Sequence, residues 1–471
     1  MAISDIVAKL NAIAWGPWML ILLVGTGVYL SIRVGFIQFR RFGYVMKNTV
    51  GKVFGKQTAG EGEITPLQAV TTALAATVGT GNIAGVTGAI AAGGPGAIFW
   101  MWISALFGMV TKYAEVVLAI KYRERNEKGD WVGGPMYYIK NGLSKKWMWL
   151  AVMFSVFGAV AALGTGNMTQ VNTIADSINT VIDAFGGNTS AHVVTLFGEA
   201  VPVSSAIIGV CIAVLTALVL FGGIKRIGSV AEKIVPLMAV VYIGCSLCVV
   251  LCNISSVGGI LSMIVKSAFS AEAAFGGVVG VTIKTTIQKG VGRGVFSNGA
   301  GLGSAPMAHA ASSETNPVKQ GLYGVFEVFT STIVICTLTA LTLLCGVERG
   351  VEVNWGHGAG AEVISASFAT VFGAQAGSLI VAMAISLFAL TTILSWALYG
   401  ARCCEFLFGT KAVAIYQGIY VVAILFGATL KLELVWNIAD TMNGFMALPN
   451  LVALLGLSGV VIKLTKDHFK K

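Results

Sequence analysis

The sequence predicts an all-α polytopic membrane protein of about 11 transmembrane helices, built as a five-plus-five inverted repeat with one extra N-terminal helix. Three observations carry that expectation. Apolar segments of spanning length follow one another with little chain between them. Charged residues are scarce and gather between those segments. Two of the segments are interrupted by glycine-rich runs.

Composition sets the solvent. Of 471 residues, 56% are hydrophobic and 11% charged, where a soluble domain carries about 25% charged residues. No stretch has the composition of a soluble domain, so one membrane domain is expected, with the lipid bilayer as its surroundings. A net charge of +10 in a soluble chain would raise nucleic acid as a partner. Here the basic residues sit between apolar spans, so no nucleic-acid partner is expected. Eight cysteines show no zinc or cluster spacing and read as small buried thiols. The first apolar run, Trp15–Ser31, lacks a basic n-region and a small-residue cleavage site, and reads as a retained span.

A helix needs roughly 20 apolar residues to cross the hydrocarbon core. Candidate spans lie at 15–33, 67–92, 96–120, 148–182, 204–223, 229–252, 271–290, 320–345, 376–401, 411–429 and 433–462. Placing the N-terminus outside and the C-terminus in the cytoplasm of a plasma (inner) membrane puts the basic runs at 33–56, 121–146 and 463–471 inside, with Lys289, Arg293 and Lys319. In this layout residues 1–66 hold the extra helix and a basic cytoplasmic loop. Residues 67–253 form the first repeat, 254–430 the first four helices of the second, and 431–471 the last helix and a basic tail.

The second span carries Gly79-Thr80-Gly81-Asn82 at its centre, and the seventh carries Phe275-Gly276-Gly277. Glycine costs about 1 kcal/mol in a helix interior. Non-helical backbone at membrane depth is tolerated only inside protein or along a cavity. Paired interruptions in corresponding spans point to a binding site at the repeat interface. Half-helix N-termini suit a carboxylate, and C-terminal carbonyls suit a cation. Close helix packing at small residues is the plainer alternative, and a channel filter is another. No enzyme is expected: the chain has no His-Glu-x-x-His, nucleophile elbow or Walker loop. His192, His309, His357 and His468 fall outside the expected spans, and the glycine-rich runs at 290–294 and 298–303 read as a cytoplasmic gating loop.

The stretch Gly93-Gly94-Pro95-Gly96-Ala97-Ile98-Phe99-Trp100, continuing to Gly108, resembles the signature of the alanine or glycine:cation symporter family. The segments 75–85, Gly133-Gly134-Pro135-Met136-Tyr137-Tyr138 and Trp15-Gly16-Pro17 look like the same family. The resemblance implies the fold of the bacterial leucine transporter with one additional N-terminal helix. It also implies import of small neutral amino acids, alanine or glycine, coupled to sodium or protons, with no organic cofactor.

Substrate is then expected between the breaks, against Gly79, Thr80, Gly81, Asn82, Phe275, Gly276 and Gly277. The polar patch of the fourth span adds Gln170 first and Asn167 second, and Trp396 and Phe275 wall the pocket. By the same resemblance the sodium site draws on Thr391, Thr392 and Ser395 with carbonyls near Thr77 and Asn82. Neither break holds a titratable group, so neutral oxygens favour sodium over a proton-coupled permease. Of the charges within spans, Lys284 and Glu327 are expected at one depth as a pair. Asp176 and Asp440 are expected in a wet outer vestibule, with a merely structural role the alternative for all four.

Overall fold

The computed structural model describes residues 3–52, 59–60, 63–196, 199–270, 282–356, 360–429 and 433–470. A short helix, Ile3–Ala14, leads into α1 (Pro17–Arg33), whose start is set by Pro17 at the first turn after extended Gly16. The first broken helix follows: α2 (Pro66–Thr77), a turn of 3₁₀ helix at Thr80–Asn82, and α3 (Ala84–Gly93). Thr65 and Gln68 close a capping box on α2. Then come α4 (Ala97–Tyr122), the pair α5 (Met148–Leu163) and α6 (Thr169–Ala184) joined by a π-helical turn at Gly164–Met168, α7 (Val203–Leu220) and α8 (Gly223–Leu251).

The second half opens with α9 (Ile283–Asn298) and the short α10 (Pro306–His309), separated by irregular chain. After them run α11 (Pro317–Val328) and α12 (Thr337–Glu348), joined by a π-helical stretch at Phe329–Cys336. The long α13 (Ala374–Phe408), α14 (Ala412–Thr429) and α15 (Glu433–Gly456) complete the bundle. Among the described residues nine helices are long and apolar enough to cross a membrane. The two broken helices complete the expected set.

Both breaks have a fixed sense. Entering α2, Ile64 pairs with the chain leaving α10: its N–H donates to Ala311 O at 3.0 Å, and Ser313 N–H donates back to Ile64 O at 2.8 Å. At the opposite end the Thr286 hydroxyl of α9 donates to the Gly93 carbonyl of α3 at 2.7 Å. The two broken helices therefore run antiparallel, as an inverted repeat requires.

Several expectations are corrected by this layout. The seventh span runs from 283 to 309 instead of 271–290. Its interruption is at 299–305, and the run 298–303 is the break itself rather than a gating loop. Phe275, Gly276 and Gly277 lie outside the described residues. Lys289 moves to the end that carries Gly93 and Ala97, away from Arg123, because a Cβ on Gly93 would stand 3.0 Å from Lys289 Cβ. Arg293, one turn further along α9, faces the same side. The last span ends at Gly456, and Ser458–Phe469 is a separate helix. His309 is fully buried in α10.

Lipid-facing sides are legible in burial. Ile207, Val210, Val214 and Leu218 on α7, Leu237 and Val240 on α8, and Ile415, Ile419 and Val422 on α14 are all exposed. Exposed apolar side chains in such number suit hydrocarbon rather than water. Cys211, Cys248 and Cys252 share this outward position instead of being buried.

Candidate functional site

The two breaks meet at mid-bundle around a cavity of about 30 Å³. Thr77, Gly79, Thr80 and Gly81 line it from the first break, and Phe296, Gly299, Leu302 and Ser304 from the second. Thr165 and Gln170, Thr392 and Trp396, and Asn443 close it from α6 and its π turn, α13 and α15. A space of that size admits a water or two. Its walls must part for any substrate, and least for a small one.

The second break is shaped by glycine. Gly299, Gly301 and Gly303 take φ values of +63°, +90° and +79°, the left-handed region that other residues enter at a cost. This alternation turns the chain without a helix and leaves backbone groups free. Gly79 serves closeness instead: a Cβ there would lie 2.7 Å from Thr392 Oγ.

Of the expected substrate residues, Gln170 reaches the cavity. Its Oε1 accepts from the Thr80 hydroxyl at 3.1 Å, and its Nε2 donates to Thr165 O at 3.0 Å. Trp396 also lines it and packs directly on the Gly166 backbone, where any Cβ would collide with it. Asn167 is aimed elsewhere, donating to the Tyr420 carbonyl at 2.7 Å. Asn82 ties the breaks together. Its Oδ1 accepts from Gly79 N–H at 3.2 Å, while its Nδ2 donates to Ser297 Oγ at 3.1 Å and Ser331 O at 3.0 Å.

For the cation, Thr392 Oγ donates to Ala75 O at 2.9 Å or to Phe388 O at 2.8 Å, which brings α13 onto the unwinding end of α2. Ser395 Oγ is buried and has no hydrogen-bond partner. Thr391 bonds Phe388 O and touches Met238 Sδ, on a different side. Thr77 back-bonds to Ala73 O at 3.1 Å. Thr392 and the last carbonyls of α2 thus gather neutral oxygens, the ligand type a hard cation takes, and the unpartnered Ser395 hydroxyl lies one turn along α13 from Thr392.

Sequence reasoning missed Phe296, Ser304 and Asn443. Asn443 is almost fully buried, and its Oδ1 has no partner. Phe296 also floors a second, wider cavity of about 370 Å³ lined by Asn11, Trp15, Lys289, Arg293 and Asp440. Asp440 lines this wider cavity and accepts from Asn11 Nδ2 at 2.9 Å. Asp176 lies exposed elsewhere on α6. The expected Lys284–Glu327 pair is not formed. Lys284 is exposed at the start of α9, and Glu327 is bonded by His309 with Lys112 Nζ at 3.9 Å.

A helical membrane bundle whose two interrupted helices run antiparallel and meet at a buried polar cavity has the build of a transporter. The chain belongs to the sodium:alanine symporter family, whose profile matches residues 1–471. It is 45% identical over 469 residues to the sodium/alanine symporter AgcS of Methanococcus maripaludis, covering 99% of this chain and 97% of that one. It is 36% identical over 456 residues to the amino-acid carrier protein AlsT of Bacillus subtilis, covering 96% and 90%. The solved structure of MhsT with L-phenylalanine matches with a TM-score of 0.55 at 12% identity, over 87% of this chain and 98% of that one. At that identity the likeness is one of fold.

Proposed function

We propose that the protein imports a small neutral amino acid, alanine or glycine, by sodium-coupled alternating access, with its N-terminus outside and its C-terminus in the cytoplasm of the inner membrane. The single observation that carries this reading is the small cavity between two breaks, lined by neutral oxygens and backbone with Trp396 and Phe296 as walls. Among its described lining residues there is no titratable acid, base or imidazole to carry a coupling proton. The substrate carboxylate takes freed backbone N–H groups, and the Asn443 carbonyl takes the ammonium. Sodium sits where Thr392 and Ser395 face the end of α2, so filling its site draws α13 and α2 together.

Phe296 separates the vestibule from the central cavity. Substrate enters past it from the side of Arg293 and Asp440 and leaves toward the Arg123 end. Three names among the relatives bear on the reading: the relative from M. maripaludis is named a sodium/alanine symporter, a B. subtilis relative at 36% identity a probable sodium/glutamine symporter, and another at 34% a putative sodium/proton-dependent alanine carrier. The test is uptake of labelled alanine, glycine and glutamine into proteoliposomes under a sodium gradient, a proton gradient, or neither. Uptake driven by the proton gradient with sodium absent rules the reading out.

A further inference from the structure

Four ionisable side chains that the transport site does not use are buried together behind the second break. Lys112 and Glu115 lie three residues apart on α4, hence on one face, and neither is exposed to solvent. Glu327 on α11 places its Oε2 3.9 Å from Lys112 Nζ, and its Oε1 is bonded by His309 Nε2. The chain of donors behind His309 has a direction. Ser312 Oγ donates to Gln320 Oε1 at 3.0 Å, so Gln320 Nε2 is the atom that donates to His309 Nδ1 at 2.8 Å. An imidazole accepting at Nδ1 carries its one hydrogen on Nε2, gives it to Glu327, and is neutral.

The charge count follows. Lys112 is the one cation facing two carboxylates, Glu327 at 3.9 Å and Glu115 one turn along its own helix, and His309 contributes nothing, so the cluster holds one carboxylate more than it has cations. The other titratable groups facing the cluster are phenols: Tyr138, which reaches Glu115 through Asn450, and Tyr399 beside Glu327. Glu115 is used unevenly. Its Oε1 accepts from Gly301 N–H at 2.9 Å, Gly303 N–H at 3.2 Å and Asn450 Nδ2 at 2.6 Å, while its Oε2 is buried with no partner at all. Asn450 in turn donates to Gly301 O at 2.9 Å, so one carboxylate fastens the second break to both α4 and α15. An uncompensated charge at membrane depth is costly and marks function. Among the described residues no group of three or more His, Cys, Asp or Glu could hold a metal there.

We propose that Glu115 binds and releases one proton during the transport cycle, and that this proton sets how firmly the second break is held. Charged, the carboxylate grips the Gly301 and Gly303 amides with charge-assisted hydrogen bonds. Carrying a proton on Oε2, it grips them as a neutral acceptor, roughly half as strongly. Only an O–H bond is made and broken, and the proton is exchanged with water. Loosening the break is what lets α9 and α10 rearrange around substrate, so turnover is fastest when Glu115 is protonated. The inference rests on the amino-acid transport reading above.

The test is the initial rate of sodium-driven alanine uptake by the full chain in proteoliposomes, at saturating sodium, from pH 6 to pH 9. Wild-type rates should fall about three- to tenfold across that range, as for a single essential protonated group. Glu115→Gln, a fixed neutral side chain, should hold close to the wild-type pH 6 rate across the range and show no slope, and Asn450→Ala should displace the profile along the pH axis. His309→Gln should keep the slope. A flat wild-type profile overturns the proposal, as does a slope that survives in Glu115→Gln or vanishes in His309→Gln. Should Glu115→Gln not fold, the wild-type and Asn450→Ala profiles decide it, an undisplaced Asn450→Ala profile counting against. Absence of sodium-driven alanine uptake at every pH would instead remove the transport reading.

Discussion

Thr392 and Gly79 are fitted to one another: the Thr392 hydroxyl that reaches Ala75 O at 2.9 Å fills the space where a Cβ on Gly79 would stand, 2.7 Å away. The long helix α13 is thereby seated on the unwinding end of α2. Thr392→Val removes the hydroxyl without changing the bulk. It should raise the sodium concentration for half-maximal uptake about tenfold, one lost hydrogen-bond-scale contact, while alanine binding at saturating sodium stays within about twofold. Gly79→Ala should impair both. Sodium titrations of uptake separate the two outcomes.

The unpartnered Asn443 carbonyl predicts where the ammonium group is held. Asn443→Leu should weaken alanine binding by about 1.5–3 kcal/mol, the usual worth of a hydrogen bond to a charged group. Calorimetry with the purified protein checks this, and unchanged affinity would move the ammonium site elsewhere.

Gly303 combines φ +79° with a would-be Cβ 2.5 Å from Pro135 Cγ. Gly303→Ala should therefore cost more than the roughly 1–2 kcal/mol of left-handed backbone alone. A lowered melting temperature in detergent, with alanine binding lost together, is the expected result. Gly373→Ala, whose φ is +83° but whose Cβ meets nothing within 4 Å, should show only the backbone share.

The Lys112–Glu327 pair invites a double-mutant cycle. Lys112→Met alone should destabilise by about 3–5 kcal/mol, because it leaves Glu327 buried without its cation. Lys112→Met with Glu327→Gln should recover much of that loss. Additive losses in thermal unfolding would show that the two residues act independently.

The first break was legible because polar residues interrupt an otherwise apolar span: Gly79-Thr80-Gly81-Asn82 has no other use in lipid. The second was misplaced for a physical reason. Helix α9 carries Lys284, Lys289 and Arg293 and is walled by α3 and α4, with the vestibule beside it, so it needs no lipid-like composition. A hydropathy reading slides toward the more apolar Gly276-Gly277 instead. That shift also moved Lys284 to the wrong depth and hid Glu327's partners. His309 falls outside every apolar run of spanning length because it sits in the four-residue α10, yet it is fully buried there. Gln170 was legible as part of a polar patch in an otherwise apolar span, and Thr392 through the family resemblance; both, with Trp396, line the cavity. Asn443 and Ser304 could not be found by counting, since only the tertiary fold brings them to the cavity.

The backbone bridge between Ile64 and the chain at Ala311–Ser313 has a consequence for specificity. It yokes the entry of one broken helix to the exit of the other, and Thr286 with Gly93 does the same at the opposite end. The outer ends of the two broken helices are thus carried on one chassis, and the parting that admits substrate is confined to the breaks between those ties. On the proposed reading, the backbone grip on a carboxylate is then the same for every amino acid. On that same reading, choice among side chains falls to the wall opposite, at Gln170 and Trp396. Relatives that carry larger amino acids should have been retuned on that wall while keeping the breaks unchanged.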